Sequence, residues 1–259
     1  MIADGIIDYS VIVPAFNEAE LIASTLGSIK SAIKNVSDFN GEIIVVDNDS
    51  TDDTAAIAAG MGARVVHEPH RQIARARNCG AGAAKGRFLI FVDADTMIEP
   101  ALLQEVLRLL SSGRVAGGGA RVDFDRPQAF FAAALLRYWQ MISQAARLAA
   151  GCFVFCTAEG FRQAGGFDEK VYASEEIWFS LRLRAWAHKN GQVFRIINKS
   201  LLRTSSRKNQ NVLQMLLTII VIAIFPAAVR FGSLCFLWYA CRHSDKNATS
   251  PLSTLNLWV

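Results

Sequence analysis

The chain has 259 residues, 52% of them apolar and 19% charged. That length suits one α/β domain with an appendage, and the composition excludes a disordered chain, a collagen-like repeat and a small disulfide scaffold. Of a net charge of +4, the excess lies beyond residue 200, where six basic residues face the single acid Asp245; the rest is nearly neutral, which argues against nucleic-acid binding, while the basic, apolar tail points to a membrane surface.

In chain order, short apolar runs alternate with helix-like stretches. Residues 9–14 (YSVIVP), 42–47 (EIIVVD), 64–66 and 87–93 (RFLIFVD) read as strands. Residues 18–34, 51–60 and 71–85 lie between them and have helical spacing. This alternation predicts βαβ units and a mostly parallel sheet, and the unbroken apolar runs predict helices covering both faces. The expected fold is α/β, Rossmann-like, with a hydrophobic C-terminal helical tail.

From Glu99 the pattern changes. Residues 99–111 read as a helix with Pro100 in its first turn. Gly117, Gly118 and Gly119 lead into a strand at 120–124. Residues 128–150 read as a long helix whose polar residues Arg137, Gln140, Gln144 and Arg147 form one narrow stripe; such a helix is either deeply packed or lies in a lipid interface. A strand at 152–156, a short helix at 158–164 and a helix at 174–189, stopped by Gly191, follow.

Residues 209–229 form 21 positions without a charge. About 18 helical residues span ~27 Å, close to the ~30 Å of a bilayer core. Pro226 and Arg230 interrupt the run, and the apolar stretch 231–241 is too short to cross alone. The expectation is a domain at 1–208 and a membrane-anchoring or membrane-associating tail at 209–259; a buried C-terminal helix is the alternative. The five cysteines form no metal-ligand pattern, and residues 1–10 contain no signal-like apolar run, so a cytosolic, reduced setting is expected.

Open parallel sheets bind ligands at the carboxyl ends of their strands. The polar residues cluster there: Asn17 and Glu18 in the Pro14-Ala15-Phe16-Asn17-Glu18 segment after the first strand, Asp47 to Asp53 after the second, and Asp93 and Asp95 after the fourth. No Gly-x-Gly-x-x-Gly follows the first strand and there is no P-loop, which disfavours a dehydrogenase-type dinucleotide fold. Asp93 and Asp95, one residue apart at a strand end, suit one hard cation, Mg2+ or Mn2+; two solvated turn acids are the bland reading. Asp47 can accept from a base or ribose hydroxyl, or serve as a turn residue; Asp49, Asp52 and Asp53 fit caps and turns better. Arg71, Arg75 and Arg77 are either phosphate clamps or stacking partners near a nucleotide, or surface arginines.

These segments resemble the family 2 glycosyltransferases of GT-A fold. The matching pieces are VIVPAFNEAELI, VVDNDSTDDT, ARARNCGAGAAKGRFLIFVDADT, GGFDE at 165–169 and SEEIWFSLRLRAWAHKNG from 174, in family order over about 9–200. The resemblance implies inverting sugar transfer from a nucleotide-sugar donor with a divalent metal. It implies that Pro14, Ala15, Asn17 and Glu18 line the nucleotide pocket, with Asp47 on the base. Arg77 looks like a residue that helps hold the nucleotide, Asp93 like a ribose or metal-water contact, Asp95 like the metal ligand. Glu176 falls where the family has its catalytic base, with Ser174 as the expected cap of that helix. Many members also have a metal-binding His after this helix; residues 202–208 (LRTSSRK) lack one. The expected acceptor is a glycan or a lipid-linked molecule; the greasy segments suggest that it is lipid-linked or membrane-proximal, and Arg203, Arg207 and Lys208 before the apolar run favour a catalytic domain on the cytoplasmic side of a membrane. The rivals are nucleotidyl transfer and a catalytically silent nucleotide-sugar binder tethered to a membrane.

Overall fold

The apolar runs become the middle of one sheet because their Val, Ile, Leu and Phe side chains are driven out of water. In the computed structural model, which describes residues 6–124, 149, 151–172 and 174–204, β1 (Tyr9–Ala15) and β4 (Phe88–Val92) are buried at every position. β2 (Gly41–Asp47) and β3 (Arg64–His67) complete a parallel set with them, with Ala15 of β1 opposite Asp47 of β2. Val11 and Val13 of β1 point into one apolar cluster and Ile12 into another, so both faces are covered as expected. One face carries α1 (Ile22–Lys34), α2 (Thr54–Gly60) and α4 (Pro100–Ser111). The other carries α3 (Ile73–Ala83), α5 (Ala158–Gln163) and α6 (Glu175–Lys189).

The sheet is mixed rather than mostly parallel. Its order is β3-β2-β1-β4-β7-β6-β8-β5, completed by β5 (Thr96–Ile98), β6 (Val115–Phe124), β7 (Phe153–Thr157) and β8 (Val193–Thr204). β7 runs antiparallel to both β4 and β6, and β5 antiparallel to β8, while β6 and β8 are parallel. The parallel reading therefore holds for the β1–β4 half and fails beyond β4. β5 and β8 had no sequence signal: three residues are too few for a period, and β8 carries Arg195, Asn198, Lys199 and Ser200 among its apolar positions.

The glycine run belongs to β6 itself, which starts earlier than expected. A Cβ on Gly118 would lie 1.8 Å from the Arg195 carbonyl oxygen of β8. Only glycine permits that approach. Helix starts also move inward. α1 begins at Ile22 instead of residue 18, because Glu18 first closes a turn, its carbonyl accepting from Leu21 N at 3.0 Å. The predicted helix 128–150 and the tail 209–259 lie outside the described residues. Among the described residues no helix is long and apolar enough to cross a membrane.

Candidate active site

Because β1, β2 and β4 are parallel, the segments leaving their carboxyl ends share one edge. The first two are stitched together. Asn17, left-handed at φ 52°, accepts from Thr51 N through its Oδ1 at 2.8 Å, and its own N–H donates to Ser50 Oγ at 3.0 Å. Glu18 N donates to Thr54 Oγ1 at 2.8 Å and Ala19 N to Asp52 Oδ2 at 3.1 Å. Asp52 also accepts from the Thr54 hydroxyl and from Thr54 N at 3.0 Å, so it ties the loop to the first turn of α2. These hydrogen bonds hold its carboxyl below the usual range against its partial desolvation. Pro14, Ala15 and Glu18 are buried beneath this stitched rim. Asp47, 7% exposed, accepts from Ser50 N at 3.3 Å and faces His67 Nδ1 at 3.4 Å.

The three arginines of the 71–77 stretch part company. Arg71 pairs with Asp49 at 2.9 Å and lies over the Phe16 ring; Arg75 pairs with Glu169 at 3.5 Å. Arg77 turns inward and is 2% exposed. It donates to Asp93 Oδ1 at 2.9 Å, to the Gly151 carbonyl at 2.6 Å and to Glu175 Oε1 at 2.6 Å. Burial works against its charge, but Asp93, Glu175 and Glu176 outweigh that and hold its pKa above the ordinary value.

Asp93 is held from its other side by its own N–H, which donates to the Cys152 carbonyl at 3.1 Å. Asp95, 6% exposed, accepts through Oδ1 from the hydroxyls of Thr96 and Thr204, each at 3.3 Å. Those hydroxyls are themselves 2.9 Å apart. Thr204 ends β8, within the stretch that the sequence reading noted for lacking a histidine and for Arg207 and Lys208 as charge at the pyrophosphate, but not for its threonine. Asp93 and Asp95 are hard oxygen donors at one strand end. They fit a divalent cation that completes its shell with phosphate oxygens and water. Among the described residues no cluster of three or more His, Cys, Asp and Glu side chains could hold a metal by itself.

The first turn of α6 supplies the remaining carboxylates. Ser174 stands at the cap position, but it is left-handed at φ 62° and its side chain makes no capping bond, contrary to expectation. The next residue, Glu175, pairs with Arg77. Glu175 is 4% exposed, and burial raises its pKa against the pull of Arg77. Glu176 remains partly exposed and packs against Gly151, where an added Cβ would lie 3.2 Å from its Cδ.

The GGFDE segment is clamped beside this centre. Asn78 of α3 bonds both the N–H and the carbonyl of Phe167 at 2.9 Å. Gln72 donates to the Glu169 and Val171 carbonyls at 2.7 and 3.0 Å. Arg182 of α6 donates to the carbonyls of Ala164 and Gly166. Phe161, Phe167, Phe179 and Phe91 form one aromatic cluster beneath it. Gln72, Asn78, Thr96 and Thr204 escaped the sequence reading, since single polar residues on helices and strand ends carry no periodic signal. His70 pairs with Glu68 at 3.2 Å and His188 is exposed near the far end of α6, so neither joins the centre.

This sheet, with its acidic carboxyl edge and helix-borne glutamates, defines a GT-A-type fold. The mannosyltransferase PcManGT from Pyrobaculum calidifontis, solved with GDP-Man and Mn2+, matches with a TM-score of 0.64 and 20% identity over 91% of this chain and 68% of that one. Glucosyl-3-phosphoglycerate synthase from Mycobacterium tuberculosis, solved with Mn2+, UDP and glucosyl-3-phosphoglycerate, matches with a TM-score of 0.58 and 21% identity over 87% and 80%. The family model described as Glycosyl transferase family 2 matches residues 10–164. The chain belongs to that family. An uncharacterized glycosyltransferase from Mycobacterium bovis is 34% identical over 104 residues, or 40% of this chain and 44% of the relative. This chain thus matches less than half the length of that relative.

Proposed function

We propose that the chain transfers a sugar, with inversion, from a nucleotide-sugar donor to an acceptor hydroxyl in a divalent-metal-dependent reaction. One observation carries the reading: a single guanidinium, Arg77, bonds both Asp93 on the donor edge and Glu175 beside Glu176. Donor carboxylates and candidate base therefore belong to one centre. The nucleotide lies against Pro14, Ala15, Asn17 and Glu18, Asp47 accepts from its base, and Asp93 would face either the ribose or the cation side. Asp95 would hold a divalent cation. A bound Mg2+ or Mn2+ supplies positive charge at the leaving diphosphate. Glu176 takes the proton of the acceptor hydroxyl as that oxygen attacks the sugar from the face opposite the diphosphate, and one displacement inverts the centre. Gly151 and the clamped 165–168 segment frame the acceptor, with Phe161 packed beneath them.

Relatives of the same fold solved with GDP-Man or UDP and Mn2+ support the donor and metal classes. The greasy 128–150 stretch and the uncharged run at 209–229 support a lipid-linked or membrane-proximal acceptor. Arg203, Arg207 and Lys208 precede that run and favour a cytoplasmic catalytic domain. The test is incubation with UDP-, GDP- and dTDP-sugars, Mn2+ and an acceptor panel. Released nucleoside diphosphate supports glycosyl transfer. Released pyrophosphate means nucleotidyl transfer, and binding without turnover means a silent binder.

A further inference from the structure

An arginine that grips a donor's phosphates must present its guanidinium to the cleft. Arg77 does not. It is 2% exposed, and both terminal nitrogens bond within the protein, while Nε is buried without a partner among the described residues. Nη1 donates to Glu175 Oε1 at 2.6 Å, while Nη2 serves both Asp93 Oδ1 at 2.9 Å and the Gly151 carbonyl at 2.6 Å. Its Cζ lies 5.2 Å from the centroid of the Phe167 ring, which closes one face. The three bonded partners come from the end of β4, the segment entering β7 and the first turn of α6. A planar fork with several fixed donors can tie three such points; an ammonium cannot hold them in one geometry.

We propose that Arg77 is a positioning residue: it fixes the donor-edge Asp93 against the α6 start that carries Glu176, and does not itself hold the nucleotide. The assignment rests on the function proposed above and replaces the nucleotide contact expected from the sequence. It separates the adjacent glutamates. Glu175 is a strut consumed by Arg77, and Glu176 is the one left beside Gly151. The bond to the Gly151 carbonyl serves the same end. It holds the backbone whose Cα packs under the Glu176 carboxyl, where a Cβ would stand 3.2 Å from Cδ. Moving one guanidinium would therefore displace both a donor-side and an acceptor-side carboxylate.

Arg77→Met alone strands two carboxylates and can unfold the chain. The informative variant is Arg77→Met combined with Glu175→Gln, which removes the stranded buried acid. It is made in the full chain beside wild type and Arg77→Lys. Dissociation constants for UDP and GDP are measured in EDTA and again with Mn2+, alongside the melting temperature. With Asp93 serving the cation side rather than the ribose, the double variant is expected to fold and to bind the nucleotide in EDTA within about threefold of wild type, because no direct contact is lost. Its affinity gain on adding Mn2+ is expected to fall about tenfold or more, because Asp93 has lost its anchor. Arg77→Lys should show the same split, its charge retained and its fork gone. A tenfold loss of affinity in EDTA overturns the proposal, since Arg77 then grips the nucleotide directly. An unchanged Mn2+ gain overturns it too, and so does failure of both variants to fold, which leaves only a structural role. A wild type that binds neither nucleotide overturns the donor reading itself, and the assignment with it.

Discussion

Although part of Glu176 is exposed, desolvation of its carboxyl where it packs against Gly151, and next the charge of Glu175, push it from 4.5 up to about 8, with Arg77 pulling the other way. A base works only when ionised, so turnover should climb with pH towards 8 and level off above it. Glu176→Gln should lower turnover ~10²-fold or more, abolish that limb and leave donor affinity nearly unchanged. The same shift has a stability signature. Below 4.5 the folded and unfolded chains both keep the proton, and the stability tied to protonated Glu176 is fully present; it is lost as pH rises through about 8. Melting curves should therefore show Glu176→Gln gaining on wild type at pH 9 but not at pH 4. A variant that gains equally at both would remove the basis for a raised pKa. Asp95 supports a second test. Asp95→Asn should cut turnover by well over ~10-fold, or ~1.4 kcal/mol, and weaken Mn2+ binding in a titration. Turnover within twofold of wild type, or full activity in EDTA, would disprove its role. At this scale the Asp93–Asp95 pair drew attention because it directly follows an apolar strand, whereas Glu176 was singled out from Glu175 only by the family resemblance. Thr204 was not legible, because its meaning depends on Asp95, 109 positions away.

Elements show where backbone spacing decides. Gly118→Ala drives a Cβ into the Arg195 carbonyl, a backbone atom that cannot swing aside. Overpacking of this kind costs ~1–3 kcal/mol, and the β6–β8 pairing leaves no room to spread it. Gly27 is the opposite case: it is exposed on α1, with nothing within 4 Å of an added Cβ. Gly27→Ala should stabilise by ~0.5–1 kcal/mol through helix propensity alone. Urea unfolding of both variants checks the pair; equal effects would mean that the β6–β8 contact is not tight. Strands β1, β2 and β4 were predictable from unbroken apolar runs, and α4 from its Pro100 start. β5 and β8 were not, because a short edge strand and a polar-interrupted one owe their conformation to the neighbours they pair with.

For the whole molecule, the division at residue 208 predicts that deleting 209–259 moves the protein from the membrane fraction to the soluble one. If the truncated chain aggregates while the full chain is soluble without detergent, the tail is core and the anchor reading fails. By itself the sequence determined the covered parallel half of the sheet, the acids at its carboxyl edge and the family. Each of these rests on local periodicity or on residues a few positions apart. Tertiary structure alone decided that β7 runs antiparallel into the middle of the sheet, that Arg77 faces inward, and that Glu175 and Glu176 have different partners. Those outcomes join positions 77, 93, 151 and 175. Contacts between residues far apart in the chain depend on how layers pack, and packing leaves no period in the sequence to read.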